Sequence, residues 1–404
     1  MTGQTFLPYG RQDISEDDIA AVSAVLRSDF LTTGPMVDAF EAALANRVGA
    51  PHAVVCANGT AALHLALAAL RLEADGRACA IVPSITFVAT ANMARAVGLE
   101  VVFADVDPDT ALMTADTLAE ALERAKRAGL TPKVVLPVHF AGQSPDMAAL
   151  AALAAAEGCV IIDDAAHAVG TVSAGGYPVG GSPHAVMTCF SFHPVKTIAM
   201  GEGGAVTTRD PALAEALRRL RGHGLTRDPS CFENTEDAFT DGATNPWYYE
   251  MPDIGFNYRA TDLQCALGLS QMKRLDTFIA RRAALIAEYG ERLKTLSQHI
   301  TLLPPQPGQT PAWHLAVALI DFAAAGTSRA AVMATLRSHG VGTQVHYIPV
   351  HRQPYYARRW PDLTLPGADR YYQRCLSLPL YPALTAEDMD RVCHALTAAL
   401  RGPS

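Results

Sequence analysis

The chain of 404 residues is half hydrophobic, 18% charged and 7% aromatic, with a formal net charge of −8. That length favours one large domain plus a smaller one and leaves room for a sizeable core. The composition carries no disorder signature, and a net negative charge without clustered Lys and Arg argues against nucleic acid as a partner. The cysteines Cys56, Cys79, Cys159, Cys189, Cys231, Cys265, Cys375 and Cys393 are scattered, without a C-x-x-C pair, and read as buried free thiols. No metal site is expected. The opening MTGQTFLPYGRQD has neither a basic start nor an apolar run, so no secretory signal is read and the cytoplasm is the expected location.

The uncharged stretch from Val48 to Leu70 is long enough to suggest a membrane span, but Pro51 and Asn58-Gly59-Thr60 interrupt it. It reads as strand, turn and helix, and no membrane partner is expected. From Ala53 onward the short β-rich runs AVVCA, ACAIV, EVVFAD, KVVLPV and CVIIDD mostly alternate with Ala/Leu-rich helical segments, the pattern of a parallel sheet wrapped by helices. MTCFSF and GAVTT extend it to Thr208, and ALAEALRRLR reads as a helix. Residues 226–250 are acidic, polar and rich in turn formers, so they read as a long surface loop. A helical stretch from about Thr261 to Leu296 then leads to the joint Leu303-Pro304-Pro305. LAVALI, SRAAVMATLRSHG, TQVHYI and the final AEDMDRVCHALTAALR follow in an α+β pattern. The expected division is a large domain over residues 1–255, and an interdomain helix with a small C-terminal domain over 256–404.

Between Asp164 and Arg209 the only formally charged residues are Lys196 and Glu202. Lys196, in CFSFHPVKTIAMGEGGAV, follows an apolar strand and precedes a Gly-rich turn, where a buried ammonium is costly unless paired or neutralised. A covalent imine neutralises it, although most lysines are simply solvated. Asp163 and Asp164 end the strand CVIIDD at the sheet edge where ligands bind; a carboxylate there can keep a pyridine nitrogen protonated, or merely cap a helix. VVCANGTAALHLAL passes from strand to helix through Asn-Gly-Thr, so the helix-start amides and the Thr60 hydroxyl form a phosphate site. Phe87, after the next strand, can stack on a flat ring. Together these describe a pyridoxal-phosphate pocket.

The segments NGTAALHLAL, PSITFVATANM, PVHFAGQSPDM, DDAAHAVG, SFHPVKTIAMGEGGA, PWYYEMPDIGFNYRATDLQCALGLSQ and QVHYIPVH resemble the DegT/DnrJ/EryC1/StrS sugar aminotransferases over nearly the whole chain. SITFVATANM, PWYYEM and GFNYR together are most similar to the branch that serves pseudaminic acid biosynthesis. The resemblance implies a fold-type-I, aspartate-aminotransferase-like α/β enzyme that uses PLP, alternating with PMP, as a homodimer with shared active sites. It implies Lys196 as the cofactor-bearing lysine, Asp164 as the partner of the pyridine nitrogen and His167 beside the ring hydroxyl. Gly59, Thr60 and Ser191 match phosphate-contacting positions, and Asn257 matches an asparagine that reaches the phosphate of the neighbouring subunit. Tyr9, Asp29, Phe30, Leu31 and Thr32, with Gln344, Val345, His346 and Tyr347, match substrate-contacting stretches. The implied reaction carries an amino group from L-glutamate to C4 of a UDP-linked 4-keto-6-deoxy-N-acetylhexosamine. Sister enzymes acting on another sugar, nucleotide or ring position stay open. Keto-sugar deoxygenases of this fold replace the lysine with histidine, and retention of the pocket residues weighs against a non-catalytic regulator.

Overall fold

A computed structural model describes residues 5–72 and 75–400. Two helices, α1 (Glu16–Leu26) and α2 (Pro35–Val48), precede an alternating array: β1 (His52–Cys56), α3 (Gly59–Ala69), β2 (Ala78–Pro83), α4 (Val88–Ala96), β3 (Glu100–Ala104), α5 (Ala115–Arg127), β4 (Thr131–Val135), α6 (Met147–Ala156), β5 (Val160–Asp164), β6 (Met187–Ser191), β7 (Gly204–Thr208) and α7 (Pro211–Arg221). The strands form one seven-stranded sheet in the order β1-β7-β6-β5-β4-β2-β3. They read as near-continuous apolar runs because helices cover both faces: β2 and β7 are buried at every position.

The sheet is mostly parallel, as expected, and the exception is β7, which runs antiparallel to both β1 and β6. The reversal matters for the site. A parallel return to the sheet needs a crossover, whereas an antiparallel one needs only a loop. The β6–β7 connection therefore stays at one edge, closed by Phe192 N–H donating to Gly203 C=O at 2.8 Å, and it carries Lys196. The same edge collects the C-terminal ends of β1, β2, β5 and β6.

Residues 226–250 are not an open loop. They contain a short helix α8 (Thr235–Ala238) and a hairpin of β8 (Phe239–Thr240) and β9 (Ala243–Thr244). Phe232, buried, packs edge-on against Tyr248 at 4.9 Å, and the Glu250 carboxylate accepts from the N–H groups of Glu233 and Asn234 and from the Tyr248 hydroxyl, each at 2.8 Å. An aromatic contact and one satisfied carboxylate organise the segment. The expected long helix is likewise two, α9 (Asp262–Met272) and α10 (Leu275–Leu296), broken where Arg274 turns to pair with Asp13 and Asp18.

Beyond it lie β10 (Ile300–Leu302), β11 (Ala316–Ile320), α11 (Arg329–Ser338), α12 (Pro354–Ala357), α13 (Pro366–Arg374), β12 (Cys375–Leu378) and α14 (Ala386–Leu400), with β10-β11-β12 forming an antiparallel sheet. The N-terminal segment joins this end of the chain: Leu7 exchanges backbone hydrogen bonds with Gly340 and Gly342, and Tyr9 C=O accepts from Leu380 N–H. All eight cysteines are free, but Cys231 is exposed and Cys393 half-buried, against the expectation that all are buried. Among the described residues no helix is long and apolar enough to cross a membrane.

Candidate active site

A cavity of about 620 Å³ opens at the strand edge that carries the β6–β7 loop. At one end it is lined by Asn58, Gly59, Thr60 and Ser191. Asn58 caps α3 by accepting the Ala61 N–H at 2.8 Å, and its carbonyl takes the Ala62 N–H at 3.0 Å. The Gly59 and Thr60 N–H groups donate to no protein acceptor among the described residues, so a helix start with open donors faces the cavity. A side chain at Gly59 would put its Cβ 2.7 Å from Ser191 Cβ, and one at Gly204 would lie 2.3 Å from Asn58 C=O. Only glycines let β6, β7 and the helix start close into this cup, whose donor set suits a phosphate.

Asp164, ending β5, lines the cavity; its neighbour Asp163 does not. The strand pleat sends the two to opposite faces. Asp164 accepts from the Thr90 hydroxyl at 2.6 Å and from Ala166 N–H at 3.1 Å, while Asp163 is taken by Thr188 and lies 3.4 Å from His139. Lys196 is half-buried and faces the same space. Burial holds its ammonium down at about 8, from 10.5, with the charge of Asp164 pulling the other way. Phe87, 57% exposed, stands at the wall 6.1 Å from the Tyr347 ring.

His167 is kept neutral: burial first, then the positive charge of Lys196 and the nearby His346, depress it well below the usual range. A neutral imidazole carries one proton, and the hydrogen-bond network assigns it. Nδ1 accepts from Ala141 N–H at 3.4 Å, so the proton is on Nε2 and is donated to the Tyr347 oxygen 3.2 Å away. Tyr347 then keeps its own hydroxyl proton to donate into the cavity. Burial, with Asp164 and Tyr9 adding to it, raises its pKa far enough to hold that proton at any working pH.

Tyr9, Gln344, Val345 and His346 complete the wall opposite the sheet. The bridge between Gln344 and Ser377 and the 2.8 Å hydrogen bond between His346 Nδ1 and the Ser377 hydroxyl fix the 344–346 segment on β12. Asp29, Phe30, Leu31, Thr32 and Asn257, in contrast, do not line this chain's own cavity. All five are exposed, and their backbones pair elsewhere: Thr32 bridges Thr261, Leu31 C=O accepts Asp262 N–H at 3.0 Å, and Asn257 bridges Gly222. Sequence reading also missed Asn58, Thr90 and His314. Asn58 carries a signal, since an Asn before a helix is a capping residue. Thr90 and His314 carry none, because only their contacts across the fold mark them.

The residue 12–397 segment matches the model of the DegT/DnrJ/EryC1/StrS aminotransferase family. The chain belongs to the DegT/DnrJ/EryC1/StrS aminotransferase family. Among solved members, Helicobacter pylori PseC, an aminotransferase involved in the biosynthesis of pseudoaminic acid, is 27% identical, with a TM-score of 0.87 over 98% of this chain and 99% of that one. S. venezuelae DesV is 31% identical, with a TM-score of 0.84 over 99% and 100%. The PLP form of the putative sugar aminotransferase Spr1654 from Streptococcus pneumoniae is 25% identical, with a TM-score of 0.83 over 98% of each chain. As a DegT-family member of fold-type I, the protein is a PLP-dependent transaminase. Its glycine cup, strand-end carboxylate and depressed lysine fit that cofactor.

Proposed function

We propose that this transaminase moves an amino group from L-glutamate to the C4 ketone of a UDP-linked 4-keto-6-deoxy-N-acetylhexosamine, the reaction of the pseudaminic acid branch. The observation that carries the reading is one cavity in which Lys196 and Asp164 share walls with Tyr9 and Gln344 to Tyr347, the stretches expected to meet the sugar. The likeness to PseC over nearly the full length of both chains supports the choice of branch.

Gly59, Thr60 and Ser191 would hold the phosphate, Asp164 the pyridine nitrogen and Lys196 the carbonyl carbon, with Phe87 against the ring and His167 beside the ring hydroxyl, acting through Tyr347. When bound, pyridoxal phosphate supplies the electron sink that lets an amino group pass between an amino acid and a ketone. Asp164, fixed by Thr90 and Ala166, keeps its negative charge aimed into the cavity. Lys196 Nζ, held at about 8, takes and returns a proton near neutral pH, as a general base and acid must. Tyr347, with its proton directed inward by His167, donates to an oxygen of whatever occupies the cavity.

The purified protein, given L-glutamate and a panel of UDP- and dTDP-linked keto-sugars, is expected to aminate the UDP-linked 4-keto sugar, read by mass spectrometry and NMR. Amination of dTDP sugars alone, or at C3, would move it to a sister activity. No amination of any keto-sugar would overturn the acceptor class.

The same reading makes each site the work of two subunits in a homodimer, with Asn257 and the Asp29–Thr32 segment of one chain serving its partner. Their absence from the lining of their own cavity and their exposure, with Phe30 and Leu31 about half exposed, support it. Eight free thiols suit a reducing cytoplasm. A mixing test checks the sharing: inactive Lys196→Ala and Asn257→Ala subunits, randomly reassorted, should recover about a quarter of wild-type activity, since half the dimers carry one intact pocket. If verified mixed dimers stay inactive, each subunit is self-contained.

A further inference from the structure

Three costly features converge on one residue outside the expected site. Ala141 has φ 57°, in the left-handed region that non-glycine residues rarely adopt. In that conformation its N–H meets His167 Nδ1 while its C=O accepts the His314 N–H at 2.9 Å. The guanidinium of Arg282 on α10 is 1% exposed, without a carboxylate partner among the described residues, and donates to His314 C=O at 3.4 Å and Leu380 C=O at 2.9 Å. Burial of such a charge is expensive and needs those carbonyls. The backbone of His314 is therefore gripped from both sides. Its side chain, 4% exposed, lines the cavity with its ring centroid 4.4 Å from that of His167, tilted by 44°, and its Nδ1 has no hydrogen-bond partner among the described residues.

We propose that His314 is a positioning residue whose ring, packed against His167, holds the His167 imidazole on the line between Ala141 N–H and the Tyr347 hydroxyl. Without that wall His167 would be free to turn about its side-chain torsions, since its Ala141 contact is long at 3.4 Å. Turning would lose the bond to Tyr347 and with it the inward direction of the Tyr347 proton. His314 stays neutral in this role. Burial first, then His167, Lys196, Arg282 and His346 around it, keep its imidazole well below the usual range. Two neutral rings can pack without the repulsion that two imidazolium ions would suffer.

The inference rests on His167 being a cofactor-facing residue, and the test separates the two. The readouts are the PLP dissociation constant of the full-length protein and the pH midpoint of the bound cofactor's absorbance, with thermal unfolding reporting the fold. His314→Phe, which keeps an aromatic face and removes both nitrogens, should stay within about two-fold of wild type. His314→Ala should weaken cofactor binding about ten-fold and move the absorbance midpoint. Should that variant not fold, His314→Leu fills the volume without a flat face and is expected to behave the same way. In a His167→Asn background, His314→Ala should add nothing further, because the residue it acts through is gone.

A folded His314→Ala protein with unchanged affinity and absorbance midpoint would overturn the inference. So would His314→Phe behaving like His314→Ala, which would assign the role to a ring nitrogen. Effects of His314→Ala and His167→Asn that simply multiply would overturn it while leaving His167's own place intact. A silent His167→Asn would overturn both.

Discussion

Replacing Lys196 with alanine is expected to lower the transamination rate by at least about three orders of magnitude, equivalent to about 4 kcal/mol in the barrier. The loss is large because one amine does two things. It would hold the cofactor, and it is the group in the cavity whose proton affinity sits near the working pH. With its ammonium held at about 8, roughly a tenth of Lys196 is neutral at pH 7, against about one part in three thousand for an unperturbed lysine. Covalent loading of the cofactor-free protein should therefore quicken as pH rises towards 8 and level off above it. Lys196→Arg should not rescue the loss, since guanidinium keeps its proton at any pH the protein survives. The cup at Gly59, Thr60 and Ser191 is untouched, so non-covalent cofactor binding should persist in Lys196→Ala. A variant that retained a tenth or more of the wild-type rate would remove Lys196 from the reaction.

Asp164→Asn is expected to cost roughly a hundred-fold in rate with little change in fold. The amide keeps the shape of the carboxylate. The Thr90 hydroxyl, 2.6 Å from Oδ2, can reverse to accept from an amide nitrogen, since it lies 2.7 Å from the Thr86 hydroxyl and can donate there. What disappears is the negative charge. Without it a pyridine nitrogen facing position 164 loses the partner of its proton, and Lys196 loses the charge that favours its ammonium, so the lysine should titrate below 8 in the variant. Asp163→Asn is the control. Its carboxylate faces Thr188 and His139 rather than the cavity, so it should alter stability more than rate. Full activity in Asp164→Asn beside a dead Asp163→Asn would exchange the two assignments.

The strand ends were readable because burial on both faces writes itself as short apolar runs, and the chain changes character where the runs stop, at Gly59-Thr60 after β1 and at Asp164 closing β5. Lys196 was readable for the same reason, as one cation in a stretch that is otherwise almost uncharged. The direction of β7 was not readable: GAVTT is equally apolar whichever way it runs, and only its pairing with β1 and β6 decides. Residues 226–250 hid their order because the contact between Phe232 and Tyr248 spans a polar stretch with no periodicity. The resemblance assigned Asn257 to the neighbouring subunit's site but left open whose site Asp29–Thr32 would serve. His314 opens the apolar run HLAVALI and looks like strand core. Its contact with His167, 147 positions earlier in the chain, is a product of the fold alone.

Everything in the proposed reaction depends on this cavity binding the cofactor through Lys196. Borohydride reduction of the PLP-loaded protein, followed by proteolysis and mass spectrometry, tests it most directly. The reduced pyridoxyl group is expected on the peptide that contains Lys196 and on no other. Finding it on Lys133 or Lys273 instead, with the Lys196 peptide unmodified, would take the cofactor out of this cavity.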